Sequence, residues 1–432
     1  MFKKLFIILI YCVLLDLIYV LLLNPVGFTF SRENLDPSIL KYIYSYLFCT
    51  LAGFFIPRSS GRFSGITIIL IYIIIVVPTV QISKYTSPDF YQIISLVAFS
   101  LAIMLFINKF LYFKFKTPKF KENIGLIFVF SLFFISCFVF FNVFGITPKV
   151  FSFSSKEVYA LRTEGISQRY NLFVRYILSW YPWITFGIMQ WYLFIKLKPF
   201  WSFSLVFLGF LNFSVSSHKI YFVLPIAVFA FLWLFQKKKC LSISELTLFY
   251  CSAIFLFYLL SLFIDPILIK SLIDRIIPVH ADLFSKYYAF FSHNPKTFWG
   301  YSFLKGLVEY PYSEWPGLII GYHGYGSNIA NANAHFLADG YANAGYWGVA
   351  IYSIFIISYC KIIDAFDVSF LFSLLFSFIF VMFISSTSPF TAMLTAGFVW
   401  LPLVLLLGIG RRDEILCPER HPVSCDTATY LM

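Results

Sequence analysis

Asn331, His335, Asp339 and Asn343 stand four residues apart in GYHGYGSNIANANAHFLADGYANAGYWG, residues 321–348. On an α-helix each such step advances roughly 40° around the axis, so the spacing predicts one slowly drifting polar stripe. Ala330, Ala334, Ala338 and Ala342 form a second stripe beside it, small enough to let another backbone approach. Upstream, Gly321, Gly324 and Gly326, interleaved with Tyr322, His323 and Tyr325, predict an irregular loop. Histidine is the usual base near neutral pH. A carboxylate one turn away, Asp339, can hold that imidazole or bind a sugar hydroxyl. Asparagines suit hydroxyls because they donate and accept. An apolar run, 346–363, follows at once, which sets the stripe at a membrane surface.

The elements that must carry these residues are membrane helices. Apolar residues are 60% of the chain and charged residues 12%, far from the soluble average. Apolar runs recur from end to end, most of them long enough to cross a bilayer. Twelve spans are expected, at about 5–23, 38–56, 66–82, 91–107, 124–143, 172–195, 200–216, 220–235, 246–268, 346–363, 369–386 and 392–410. The first, 5–23, has full span length and no small-residue cleavage site, so it reads as a helix and not as a signal peptide. The expectation is an all-α polytopic bundle over 1–410, with long external loops at 144–171 and 269–345 and a cytoplasmic tail at 411–432.

Orientation follows from lysine and arginine in the short loops. With Lys3 and Lys4 inside, every short inside loop is basic, including Arg58 and Arg62, Lys109 to Lys121, Lys196 and Lys198, and Lys237 to Lys239. Both termini are then cytoplasmic. The formal charge of +12 lies mostly in these loops and not on a basic stripe of a soluble domain, so nucleic acid is not an expected partner.

Arginine suits a phosphate or diphosphate, because its planar fork donates two parallel bonds and stays charged. Arg162 and Arg169 lie in the first long loop, and Arg175 just inside the next helix. Arg175 reads equally as a cavity-facing cation or as one snorkelling to headgroups. Lys219, beside His218 in a short external turn, reads either as a solvated residue or as one more cation at the same site. Neither a DxD pair nor a CxxC pair occurs, so neither a divalent metal nor a disulfide framework is expected and no cofactor is called for. Asp265 precedes Pro266 and marks a helix end; Asp16, inside the first span, has no assigned role.

The architecture and the stretch NANAHFLADGYANAGYWG resemble the bacterial O-antigen polymerases, the Wzy proteins, and more distantly the O-antigen ligases. Arg175 is followed by Gly187, one residue beyond the arginine–ten residues–glycine spacing of some polymerases. The resemblance implies an inner-membrane glycosyltransferase acting on undecaprenyl diphosphate-linked oligosaccharide, with a flippase and a chain-length regulator as partners. In that reaction an acceptor hydroxyl attacks an anomeric carbon and undecaprenyl diphosphate leaves. The resemblance implies His335 as base, Asp339 as its orienter, and Arg162, Arg169 and Arg175 as the diphosphate clamp. Asn331, Asn333 and Asn343 would contact sugar, with Lys219 and His323 also at the substrate. The competing readings are a lipid-linked oligosaccharide flippase and an O-antigen ligase. A flippase has little use for a long external loop and needs charges along the bundle interior, where this chain has few.

Overall fold

The computed structural model describes residues 2–20, 37–115, 122–147, 171–261, 278–327 and 331–412. Arg162, Arg169 and Asp265, most of the first long loop and nearly all of the tail lie outside the described residues.

The described chain is mostly helical. In order come α1 (Phe2–Ile18), α2 (Ile39–Phe55), α3 (Phe63–Thr86), α4 (Phe90–Phe110) and α5 (Glu122–Phe144). Then follow α6 (172–197), α7 (Pro199–Ser216), α8 (Ile220–Phe235), α9 (Ile243–Ser261) and α10 (Pro278–His293). The last are α11 (Pro316–Tyr325), α12 (Phe336–Asp364), α13 (Phe370–Ile384), α14 (Pro389–Leu394) and α15 (Trp400–Leu406). Among the described residues five helices are long and apolar enough to cross a membrane: α3, α4, α5 from Ile124, α7 and α12. Four shorter apolar helices lie at α2, α8, α13 and Ile243–Leu256. The chain is thus a helical membrane protein. One expected span is corrected: 392–410 is two short helices, α14 and α15, separated by residues 395–399 that include Gly397 at φ +83.

α3 is the axis of the bundle. Its apolar window is wholly buried, with α1, α2, α10, α12 and α13 packed around it. Pro78 cannot donate a backbone N–H and its ring crowds the carbonyl four residues back, so the turn before it widens to a π-helix over Tyr72–Val76. Pro182 sits in a second π-turn, Tyr181–Thr185 of α6. At one end of the bundle the loops after α2 and before α9 are tied by a two-residue antiparallel ribbon, Ser59–Ser60 with Leu241–Ser242.

A charged pair is buried beside this axis. Lys84 Nζ lies 2.7 Å from a carboxylate oxygen of Asp16 and is fully buried. Tyr46 donates to Asp16 at 2.7 Å, and Lys84 donates to Gln81 Oε1 at 2.7 Å. The rings of Tyr42, Tyr46 and Tyr85 sit 4.5–5.1 Å from the ammonium. Charges are tolerated inside a bundle only with partners of this kind, and the pair explains why Asp16 stands in an apolar helix.

α12 is not one straight helix. Ala344 has φ −150° and ψ 28°, and Gly345 has φ 61° and ψ −136°. A side chain on Gly345 would be strained. The break folds the two halves against each other so closely that a Cβ on Gly348 would stand 1.9 Å from the Gly340 carbonyl oxygen.

Candidate functional site

The break in α12 builds the site. Asp339 and Tyr352 are thirteen residues apart, which is roughly 20 Å along an unbroken helix. Here the Tyr352 hydroxyl donates to Asp339 Oδ2 at 2.6 Å. Tyr301, from the segment between α10 and α11, donates to Asp339 Oδ1 at 2.9 Å. Asn343 Nδ2 donates to Asp339 Oδ2 at 3.1 Å and to the Asp339 carbonyl at 2.8 Å. The carboxylate is therefore gripped by two phenols and an amide, in a residue that is half-buried as a whole. Trp299 Nε1 donates in turn to the Tyr352 hydroxyl at 2.8 Å, which fixes the direction of that phenol.

Asn343 is fully buried, and its polar atoms are engaged within the chain. Its Oδ1 accepts from Thr297 Oγ1 and from the Trp299 backbone N–H, both at 2.8 Å. The Thr297 and Phe298 N–H groups donate to the carbonyls of Ala342 and Asn343 at 3.0 Å. So Asn343 fastens the 297–301 segment to the break and makes its contacts with protein, where a sugar contact had been expected.

The four-residue polar stripe needs a second correction. The helix starts at Phe336, so Asn331 and Asn333 lie before it and His335 is its N-cap. Asn331 and Asn333 are exposed while Ala332 and Ala334 are buried. Asn331 Oδ1 accepts from Trp315 Nε1 at 3.3 Å and presses on Gly317, where a Cβ would lie 2.1 Å away. The Ala332 N–H donates to the Gly317 carbonyl, which locks this segment to the start of α11.

His335 is completely buried. Its Nδ1 accepts from the Ala338 N–H at 3.4 Å, one of the orphan donors of the first turn. A neutral ring in that role carries its proton on Nε2, which lies 3.5 Å from Thr79 Oγ1 on α3. The Phe284 ring stands edge-on at 5.0 Å. Thr79 is seven residues before the end of α3 at Thr86, roughly 10 Å down the helix. His335 therefore sits within the bundle and not above it, because the first half of α12 turns inward. Both substitutions open space in a fully buried site, so if capping is its role His335→Ala should lose about 1 kcal/mol more than His335→Asn. Thermal unfolding in one detergent checks this, and equal losses for both variants would refute the capping role.

Arg175 is exposed in the first turn of α6, where Asn171 caps the helix through its side chain. Lys219 precedes α8 at the turn from α7, and its carbonyl accepts from the N–H groups of Phe222 and Val223. His323 is exposed in the last turn of α11, its ring 4.9 Å from Phe290. The bonds that hold Asp339 come from Tyr301, Tyr352 and Asn343, not from these three.

No protein-family model, curated protein or solved structure matches this chain. The site therefore stands on its own geometry.

Two titratable groups lie in and just after α10, which packs against α12. Asp282 on α10 is almost wholly buried and accepts from the Tyr325 hydroxyl at 2.9 Å. Burial pushes its carboxyl up to about 6, against the opposing pull of Lys286 and of that hydroxyl. Lys296 donates to the Phe291 carbonyl at 2.6 Å and sits 3.7 Å from the Tyr341 ring centroid, and burial lowers its ammonium to about 8. Among the described residues no group of three or more His, Cys, Asp or Glu side chains could hold a metal.

The sequence gives no direct sign of Tyr352 and Thr297 in this role, and it presents Trp299 and Tyr301 as amphipathic aromatics of the kind that sit at headgroup level and can also stack on sugar faces. A hydroxyl in an apolar run, together with Gly345 and Gly348 just after the polar stretch, is the signal that points to Tyr352.

Proposed function

We propose that this chain is a membrane-embedded, metal-independent glycosyltransferase of the O-antigen polymerase type. It would transfer a growing polysaccharide from undecaprenyl diphosphate to the non-reducing end of a lipid-linked repeat unit. One observation carries the reading: a carboxylate, Asp339, oriented by three donors at a helix break beside an apolar span. A carboxylate so held can take a proton from a sugar hydroxyl. The acceptor oxygen then bonds to the anomeric carbon as the bond to diphosphate breaks, and the proton stays on Asp339. In this reading Asp339 is the base and His335 a positioning residue, since both His335 ring nitrogens face protein groups. The exposed amides of Asn331 and Asn333, with His323, suit sugar hydroxyls. Arg175, Lys219 and the loop residues Arg162 and Arg169 suit the diphosphate. The proposal places the chain in the bacterial inner membrane with about twelve spans, both termini cytoplasmic, and the loops at 144–171 and 269–345 periplasmic. A chain-length regulator and a flippase are its proposed partners.

The test is the full-length protein in lipid nanodiscs with a purified undecaprenyl diphosphate-linked repeat unit and a metal chelator. A ladder of lengthened product, with one undecaprenyl diphosphate released per added unit, is expected. Transfer that requires a lipid A core acceptor would make the chain a ligase. Movement of the lipid across the bilayer without a new covalent product would make it a flippase.

A further inference from the structure

The segment between α10 and α11 sorts its side chains to two sides. Thr297 and Trp299 are buried and Tyr301 is partly buried on the Asp339 cluster, while Phe298 lies between them at 49% exposure. Phe298 and Trp299 both adopt left-handed backbone, φ 43° and 57°. L-residues with large side chains avoid that region, and such strain persists only where surrounding contacts impose it. Here the N–H groups of Thr297, Phe298 and Trp299 are all bonded to residues 342 and 343. The result is that Trp299 turns in and Phe298 turns out.

Beyond this point the chain makes a small closed turn. Lys305 pairs with Val308, Leu307 N–H donates to the Leu304 carbonyl, and Gly306 takes φ +85. At its tip Phe303 is 55% exposed and Leu307 82%. Three large exposed apolar side chains within ten residues, Phe298, Phe303 and Leu307, need a cover. The neighbouring surface is already lipid-facing in character. Trp347, Ile351 and Ile354 form an exposed stripe on the apolar half of α12, and Phe298 is bonded to Asn343, four residues before Trp347. On the other side the Phe303 ring stands on Phe390 of α14 at 5.1 Å, and Leu394 of the same helix is exposed. Lys305, exposed between Phe303 and Leu307, has a stem long enough to follow the apolar face and a head suited to lipid phosphate.

We propose that residues 298–307 are a membrane-inserted anchor. Phe298, Phe303 and Leu307 enter the hydrocarbon edge of the leaflet on this side of the bundle, and Lys305 reaches a lipid phosphate. The partner is the bilayer itself. The anchor holds the Tyr301 and Trp299 side of the Asp339 cluster against the broken helix, and it does so whether or not the chain is a glycosyltransferase.

The test is spin labelling of the full-length protein in nanodiscs of phosphatidylethanolamine and phosphatidylglycerol, with the native cysteines replaced. Labels go singly at Phe303→Cys, Leu307→Cys, Glu309→Cys and Glu314→Cys. Labels at 303 and 307 should collide more with oxygen than with a water-soluble nickel chelate, and labels at the exposed Glu309 and Glu314 the reverse. Nickel dominance at 303 and 307 would put the turn in water, and low collision with both agents would put it under protein; either result overturns the proposal. Should the cysteine-free protein lose its fold, a benzophenone side chain at position 307 of the otherwise native chain asks the same question. Lipid adducts support the anchor, and protein adducts, or none, overturn it.

Discussion

Under the proposed polymerase reading, Asp339→Asn should lose chain elongation by about 10²-fold or more, the scale of removing a general base, with little change in expression or unfolding temperature. The substitution is nearly isosteric, and the amide oxygen can still accept from Tyr301 or Tyr352. What disappears is the basic carboxylate. The rate should not recover when pH is raised, because an amide has no proton to lose in the working range. The measurement is single-turnover transfer with purified lipid-linked substrate at matched protein levels. Near-parental transfer by Asp339→Asn would remove the carboxylate from the chemistry. If His335→Asn were the inactive variant instead, with its fold intact, the base would be His335.

The second large effect is on stability. Asn343→Leu keeps the volume but strands the Trp299 N–H, bonded to Asn343 Oδ1 at 2.8 Å, and leaves the Thr297 hydroxyl only its longer bond to the Ala342 carbonyl at 3.4 Å. A buried donor left unpaired costs about 1–3 kcal/mol, and the lost amide bond to the Asp339 carboxylate adds to it, so a loss on the order of 3 kcal/mol is expected. The damage should be local as well as global. The 297–301 segment would detach from the break, and protease cleavage between α10 and α11 should rise well before the membrane helices unfold. An unfolding curve and cleavage rate equal to the parent's would show that Asn343 is not the fastener described here.

The membrane helices are legible in the residues because the reason for them is local. A run such as 90–110 is apolar almost throughout, and a bilayer requires its backbone bonds to close within the segment, so a helix is the available solution. The break in α12 is half legible: Gly340, Gly345 and Gly348 announce that something other than straight helix is possible there, but not where the two halves meet. The polar stripe of 331–343 misleads, because equal spacing implies one face only if a helix already runs through all four residues. A buried imidazole that accepts the Ala338 N–H starts the helix at Phe336 instead.

Residue types and their order determine by themselves that this chain is a helical membrane protein and that a cluster of polar side chains stands just before the apolar run at 346–363. Tertiary structure alone decides which of those groups act together. Asp339 with Tyr352, Asn343 with Thr297 and Lys84 with Asp16 are contacts between segments that sequence distance does not relate. Hydropathy and helical period report on neighbours within a turn or two. A hydrogen bond across a break or between helices depends on how whole segments pack, and no local pattern encodes it.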